Sequence, residues 1–78
     1  MRDPIREKRT QIIITMLAKA DKVIQNWTRA GENELWGMAI GWNDEHPDAE
    51  IFMGETCDDD YNVNGFMIDD YTFYYKED

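Results

Sequence analysis

The first third of the chain carries apolar residues at the spacing of one helix face. Projected at 100° per residue, the members of this face share an arc of about 140°. They are Ile5, Ile12, Ile13, Met16, Leu17, Ala20, Val23, Ile24 and Trp27. Asp3 can cap free backbone N–H groups, Pro4 suits the first helical position, and Gly31 suits a helix end. The pattern predicts one long helix over residues 4–30.

After Gly31 the spacing of the large side chains changes from helical to alternating. The bulky residues of this stretch are Trp36, Met38, Ile40 and Trp42, and smaller residues stand between them. Strict alternation places the two sets on opposite sides of an extended chain. We therefore expect a strand over residues 35–42, with one bulky face and one nearly flat face, and a second short strand around residues 50–55.

The Asn64-Gly65 dipeptide is the strongest turn signal, because it favours the type I′ turn of a two-residue hairpin. Such a turn would set Asp60 opposite Asp69 on the neighbouring strand. A final strand would cover residues 71–75, with a bulge at Asp69-Asp70 keeping its aromatic residues on the face of the preceding strand.

These elements define an α+β fold, in which one long N-terminal helix packs on a three- or four-stranded antiparallel sheet (α-β-β-β(-β)). A chain of 78 residues has room for one core. Residues 1–78 are therefore expected to form a single domain, with the helix at 4–30 and the sheet at 34–76. One helix covers only one face of such a sheet. The other face would expose aromatic residues, including Trp36 and Trp42, and we expect a homodimer formed through that patch.

Charge divides the chain into two unequal parts. Residues 1–31 hold seven basic against three acidic side chains, a balance of +4, and residues 32–78 hold one against fourteen, a balance of −13. The two add up to the net charge of −9. An acidic surface repels a phosphate backbone, so we expect a protein partner and no direct contact with nucleic acid.

Five aspartates are the first candidate contact residues: Asp58, Asp59, Asp60, Asp69 and Asp70. The predicted hairpin brings them together, and like charges opposite each other destabilise a strand pair unless something neutralises them. Three interpretations stay open, namely a solvated rim that discourages edge-to-edge aggregation, a surface for a basic protein, and a divalent cation site. We assign no metal ligand and no cofactor-binding residue.

Three arginines, Arg2, Arg6 and Arg9, lie within the same arc as the apolar residues. A helix of about 27 residues is about 40 Å long, whereas a strand of eight residues covers about 27 Å, so its first turns should overhang the sheet. These arginines either are solvated or pair with the chain's own acids, or they bind a second protomer or partner.

Several kinds of chemistry lack the residues that they need. The chain has no serine, one histidine, His46, and one cysteine, Cys57, which argues against a serine triad, an internal disulfide and a structural zinc site. We expect His46 to be a solvated loop residue. No stretch reaches the length of apolar sequence that spans a bilayer. We expect a cytoplasmic protein without membrane contact, and not an enzyme.

In size, acidity and poverty of motifs the chain resembles small phage-encoded inhibitors, namely anti-CRISPR, anti-restriction and DNA-mimic proteins. Carboxylates on every second residue of a strand are about 7 Å apart, close to the phosphate spacing of one nucleic-acid strand. The resemblance implies an inhibitor that blocks a basic nucleic-acid-binding protein or enzyme in the host cytoplasm with its acidic sheet. The alternative is a structural or assembly protein that dimerises through its aromatic sheet face and inhibits nothing.

Overall fold

Two helices precede a three-stranded antiparallel sheet in the computed structural model, which describes residues 3–76. The elements are α1 (Pro4–Gln25), α2 (Arg29–Glu45), a short 3-10 turn (Pro47–Ala49), β1 (Met53–Cys57), β2 (Val63–Ile68) and β3 (Tyr71–Tyr74). The strand order is β1-β2-β3. The predicted α+β class, with a long N-terminal helix followed by antiparallel strands, is confirmed.

Helix α1 begins as predicted and ends early. The Asp3 carboxylate accepts hydrogen bonds from the backbone N–H groups of Ile5 and Arg6, at 3.0 and 3.3 Å. The helix stops at Gln25, and the Thr28 hydroxyl then accepts the Gly31 N–H at 3.0 Å and caps a second helix. The predicted end at residue 30 is wrong, because a threonine cap starts α2 at the place where glycine suggested a stop.

The predicted strand over residues 35–42 is also wrong, since this stretch lies inside α2. Leu35, Ala39 and Trp42 are buried together, and their spacing of four and then three residues is that of one helix face. The alternation of bulky and small residues is a coincidence within eight positions. The sheet accordingly begins at Met53 instead of residue 34. The strand predicted around residues 50–55 begins three residues later and ends two residues later.

The Asn64-Gly65 dipeptide does not turn the chain. It lies within β2, where Gly65 pairs with Thr56 on one side and with Tyr74 on the other. The two-residue turn is instead Asp69-Asp70, between β2 and β3. Asp69 there adopts a φ of 50°, which aspartate tolerates better than most residues. No bulge is needed at this turn, and the register shift falls at Thr56/Cys57.

The core lies between the helical hairpin and one face of the sheet. Its buried side chains are Met16, Ala20, Val23, Leu35, Ala39, Trp42, Ile51, Phe66 and Ile68. All are apolar, and no polar or charged residue among 3–76 is buried. The Phe66 ring lies 5.5 Å from that of Phe73 and 6.1 Å from that of Tyr75. Strand β2 thus contributes the centre of the core.

The Arg9 guanidinium connects α1 to the start and the far turn of the sheet. Its Nε donates to the Ala49 carbonyl at 3.2 Å, and its Nη2 donates to the Glu50 carbonyl and to the Asp69 carboxylate, both at 2.7 Å. The Asp69 carboxylate also accepts the Phe52 N–H at 3.0 Å. Of the two alternatives for the N-terminal arginines, Arg9 pairs with an acid of its own chain.

We predict that Arg9→Met lowers the free energy of unfolding by about 1.5–3 kcal/mol, because charge-assisted hydrogen bonds are lost while the aliphatic stem is kept. The matched control is Arg6→Met, since Arg6 is exposed and should change stability by less than about 0.5 kcal/mol. Urea unfolding followed by tryptophan fluorescence measures both. Equal effects of the two substitutions would contradict the role given to Arg9.

Candidate protein-binding surface

The five predicted aspartates fall into two groups at opposite ends of β2. Asp58, Asp59 and Asp60 lie in the loop before the strand, and Asp69 and Asp70 form the turn after it. A strand of six residues, about 20 Å long, separates the groups. The predicted pairing of Asp60 with Asp69 is therefore wrong, because Asn64-Gly65 lies within the strand.

Two of these aspartates shape their own turns. Asp58 Oδ1 accepts the backbone N–H groups of Asp60 and Asn62, at 2.9 and 3.0 Å, and Asp69 binds Arg9 and Phe52 as described above. The side chains of Asp59, Asp60 and Asp70 are exposed and have no ion-pair or hydrogen-bond partner within residues 3–76. These three are free to meet another molecule.

Further acids lie along β1, one of the two edge strands of the sheet. Asp48 and Glu50 precede β1, Glu55 lies on it, and the three aspartates of the next loop follow it. We call these six residues the acidic edge: Asp48, Glu50, Glu55, Asp58, Asp59 and Asp60. All six are exposed. No lysine or arginine occurs between residues 30 and 75, so no basic residue interrupts the edge in sequence.

The acidic edge differs from the acidic sheet that the sequence predicts. Strands β2 and β3 carry no acid, and Glu55 is the only acid within β1. Carboxylates on every second residue of a strand are therefore not formed. The acidic edge could have been predicted from the long stretch of sequence between residues 30 and 75, which contains no lysine or arginine.

The predicted basic and aromatic contact residues are dispersed. Arg2 lies outside the described residues, Arg6 is exposed on α1, and Arg9 is engaged internally. Trp42 is buried on α2, and its Nε1 donates to the Ala49 carbonyl at 2.7 Å. Trp36, half-buried, also lies on α2. Neither tryptophan contributes to a sheet face.

His46 differs from the solvated loop residue that the sequence suggests. Its ring stacks on that of Trp42, with 3.9 Å between the ring centroids and 21° between the planes. The residue is half-buried, and its Nδ1 is buried without a hydrogen-bond partner among the described residues. His46 therefore closes one end of the core.

The sheet face opposite the helices is exposed, with other residues than predicted. Strand pairing places Gly54, Met67 and Thr72 on this face, away from the core. Tyr74 and Phe52 are 61 % and 58 % exposed. The Phe52 ring covers Gly54, since a Cβ placed on that glycine would lie 2.8 Å from Phe52 Cζ. The face is thus a mixed patch of aromatic rings and threonines.

Tyr75 links the end of the sheet to the start of α2. Its hydroxyl donates to the Glu32 carboxylate. Burial raises the pKa of Tyr75 above its ordinary value of 10.0, and the hydrogen bond to Glu32 and the charges of Glu32 and Glu55 raise it further. The phenol is therefore held in its neutral form.

Other kinds of site are not found in the described part of the chain. Among residues 3–76, no three histidine, cysteine, aspartate or glutamate side chains are grouped so that they could hold a metal ion. None of the helices described is both long enough and apolar enough to cross a membrane.

Comparison with protein-family models, curated proteins and solved structures finds no match to this chain. Its function is therefore inferred from its own residues.

We predict that Tyr75 makes stability fall in alkali. The unfolded chain releases the phenolic proton near pH 10.0, whereas the folded chain retains it to higher pH. The contribution of Tyr75 is therefore complete below pH 10 and is lost as the pH rises towards its folded pKa. Urea unfolding measured from pH 8 to 11 should show a smaller loss for Tyr75→Phe than for the parent chain. The control is Tyr61→Phe, at a residue 89 % exposed, which should follow the parent.

Proposed function

We propose that this chain is a small acidic protein-binding module that inhibits a nucleic-acid-handling protein, in the manner of the anti-CRISPR, anti-restriction and DNA-mimic inhibitors of phages and mobile elements. The observation that carries the proposal is the acidic edge. Its exposed carboxylates lie on one edge strand and on the chain segments before and after it. A basic channel that binds nucleic acid presents complementary charge.

Some of the acids stabilise the fold and others have no partner within it, and this difference supports the proposed function. Asp69 is held by Arg9 and Asp58 by backbone N–H groups, so these two stabilise the fold. Glu50, Glu55 and Asp59 are exposed and have no ion-pair partner within residues 3–76. Like charges placed together destabilise a folded chain by mutual repulsion. A basic partner would remove that repulsion on binding.

The test neutralises only acids without a structural role. The variant combines Asp48→Asn, Glu50→Gln, Glu55→Gln, Asp59→Asn and Asp60→Asn, and leaves Asp58 and Asp69 in place. The parent chain should capture basic proteins from a bacterial lysate at low salt and inhibit their binding to nucleic acid. We expect the neutralised variant to do neither. High salt should weaken capture by the parent chain, because exposed charges are screened.

The matched control keeps every charge and changes only the side-chain length, with Asp48→Glu, Glu50→Asp, Glu55→Asp, Asp59→Glu and Asp60→Glu. This variant should capture and inhibit as the parent does. Capture and inhibition that survive neutralisation would show that the acidic edge does not bind the partner.

A second candidate function is supported by the exposed sheet face. Phe52 and Tyr74 lie on the side of the sheet that the helices leave open, and exposed aromatic side chains on one face often mark an interface. A structural protein that dimerises through this face would use its acids for solubility alone. Analytical ultracentrifugation then should show a dimer that Phe52→Ser and Tyr74→Ser dissociate. A monomer at high protein concentration would exclude this function.

A further inference from the structure

Strand β1 is an open edge of the sheet. The strand order is β1-β2-β3, so within residues 3–76 β2 is paired on both sides whereas β1 is paired on one side only. Helix α1 lies over β2 and β3, and the main neighbour of β1 is β2. Glu55 and Cys57 of β1 are exposed. One row of β1 backbone groups therefore faces away from the protein.

The direction of these backbone groups follows from the ladder. The Asp69 N–H donates to the Phe52 carbonyl at 2.8 Å, so the backbone of Phe52 points towards β2. In an antiparallel pair this direction alternates from residue to residue. Gly54 and Thr56 therefore point towards β2, and Met53, Glu55 and Cys57 present their N–H and C=O groups outward. Such a row is a template for another strand.

The charge of an incoming strand determines whether it can pair with the outward row of β1. The acidic edge flanks the outward row at both ends, and Glu55 lies in its middle. The β1 strand of a second copy would bring acids against acids, which is unfavourable. The β3 edge of a second copy would bring one nearby basic residue, Lys76. An extended segment rich in lysine or arginine satisfies the backbone groups and the carboxylates together.

We propose that β1 binds an extended basic segment of the partner protein, which adds to the sheet as a fourth, antiparallel strand. The inference rests on the proposed function, because it takes the partner to be basic. Side chains alternate along the added strand. Its lysine or arginine residues lie on the face of Glu55, and its apolar residues lie on the face of Gly54, beside the exposed Phe52 ring.

The first test uses the unaltered chain and a peptide of four Lys-Val repeats. Hydrogen exchange measured by NMR should slow about tenfold or more at the amides of Met53, Glu55 and Cys57 when the peptide is bound. The amides of Thr72 and Tyr74, which point outward from the β3 edge, should keep their rates. A peptide of four Glu-Val repeats should leave all five amides unchanged. No slowing on β1, or equal slowing on both edges, would overturn the proposal.

The second test removes one outward donor. Glu55→Pro deletes an N–H that is not part of the β1–β2 ladder, a position where an edge strand tolerates proline. Glu55→Gln removes the charge alone and should weaken binding of the Lys-Val peptide about 1.5- to 5-fold. Glu55→Pro should weaken it about tenfold or more beyond that, because a backbone hydrogen bond is also lost. Thr72→Pro on the other edge is the matched control and should bind as the parent does.

The outcomes separate this inference from the proposed function. If Glu55→Pro binds a captured basic protein as tightly as Glu55→Gln does, while the neutralised variant loses it, strand addition is overturned and the proposed function stands. If the neutralised variant keeps every captured protein, the proposed function fails, whatever the proline substitution does.

Discussion

The rest of the structure depends on the contacts that side chains of the two helices make with the link between α2 and β1. Arg9 binds carbonyls of this link and the Asp69 carboxylate of the β2–β3 turn. Trp42 shares one of those carbonyls, and the Asn43 amide exchanges two hydrogen bonds with the backbone of Ile51. These backbone N–H and C=O groups of the link are not paired within a helix or a sheet, so side chains must supply their hydrogen-bond partners. They fix where β1 enters the sheet, and the acidic edge takes its position from that point.

The charge of the chain has two distinct uses within this frame. One use is internal, since Asp3 caps a helix and Asp58 and Asp69 each close a turn. The other is external, since the remaining acids of the acidic edge make no ion pair or side-chain hydrogen bond within residues 3–76. A domain of this size gains little stability from its core. Repulsion on one edge is therefore a real cost to it, and that cost is the physical basis of the proposal that the edge binds a partner.

Part of this arrangement follows from the sequence, and part depends on contacts between distant residues. The start of α1 was predictable, because Asp3 and Pro4 act within one turn. The start of α2 was also marked locally, by Thr28, but the alternation of bulky residues after Gly31 concealed it. The turn at Asp69 was not predictable, because Arg9, sixty residues away, stabilises that aspartate. The candidate acids were identifiable from composition, whereas their division between the two ends of β2 required the true register.

The central place of β2 has a consequence for the order in which the fold can form. Phe66 and Ile68 are fully buried, yet they follow both helices in the chain. Until β2 is available, the helical hairpin has only Met16, Leu35 and their neighbours to bury against one another. The contacts that complete the core therefore join residues far apart in sequence, and such contacts form slowly. Without β2, the helical hairpin would therefore lack the packing partner that covers its side facing the sheet.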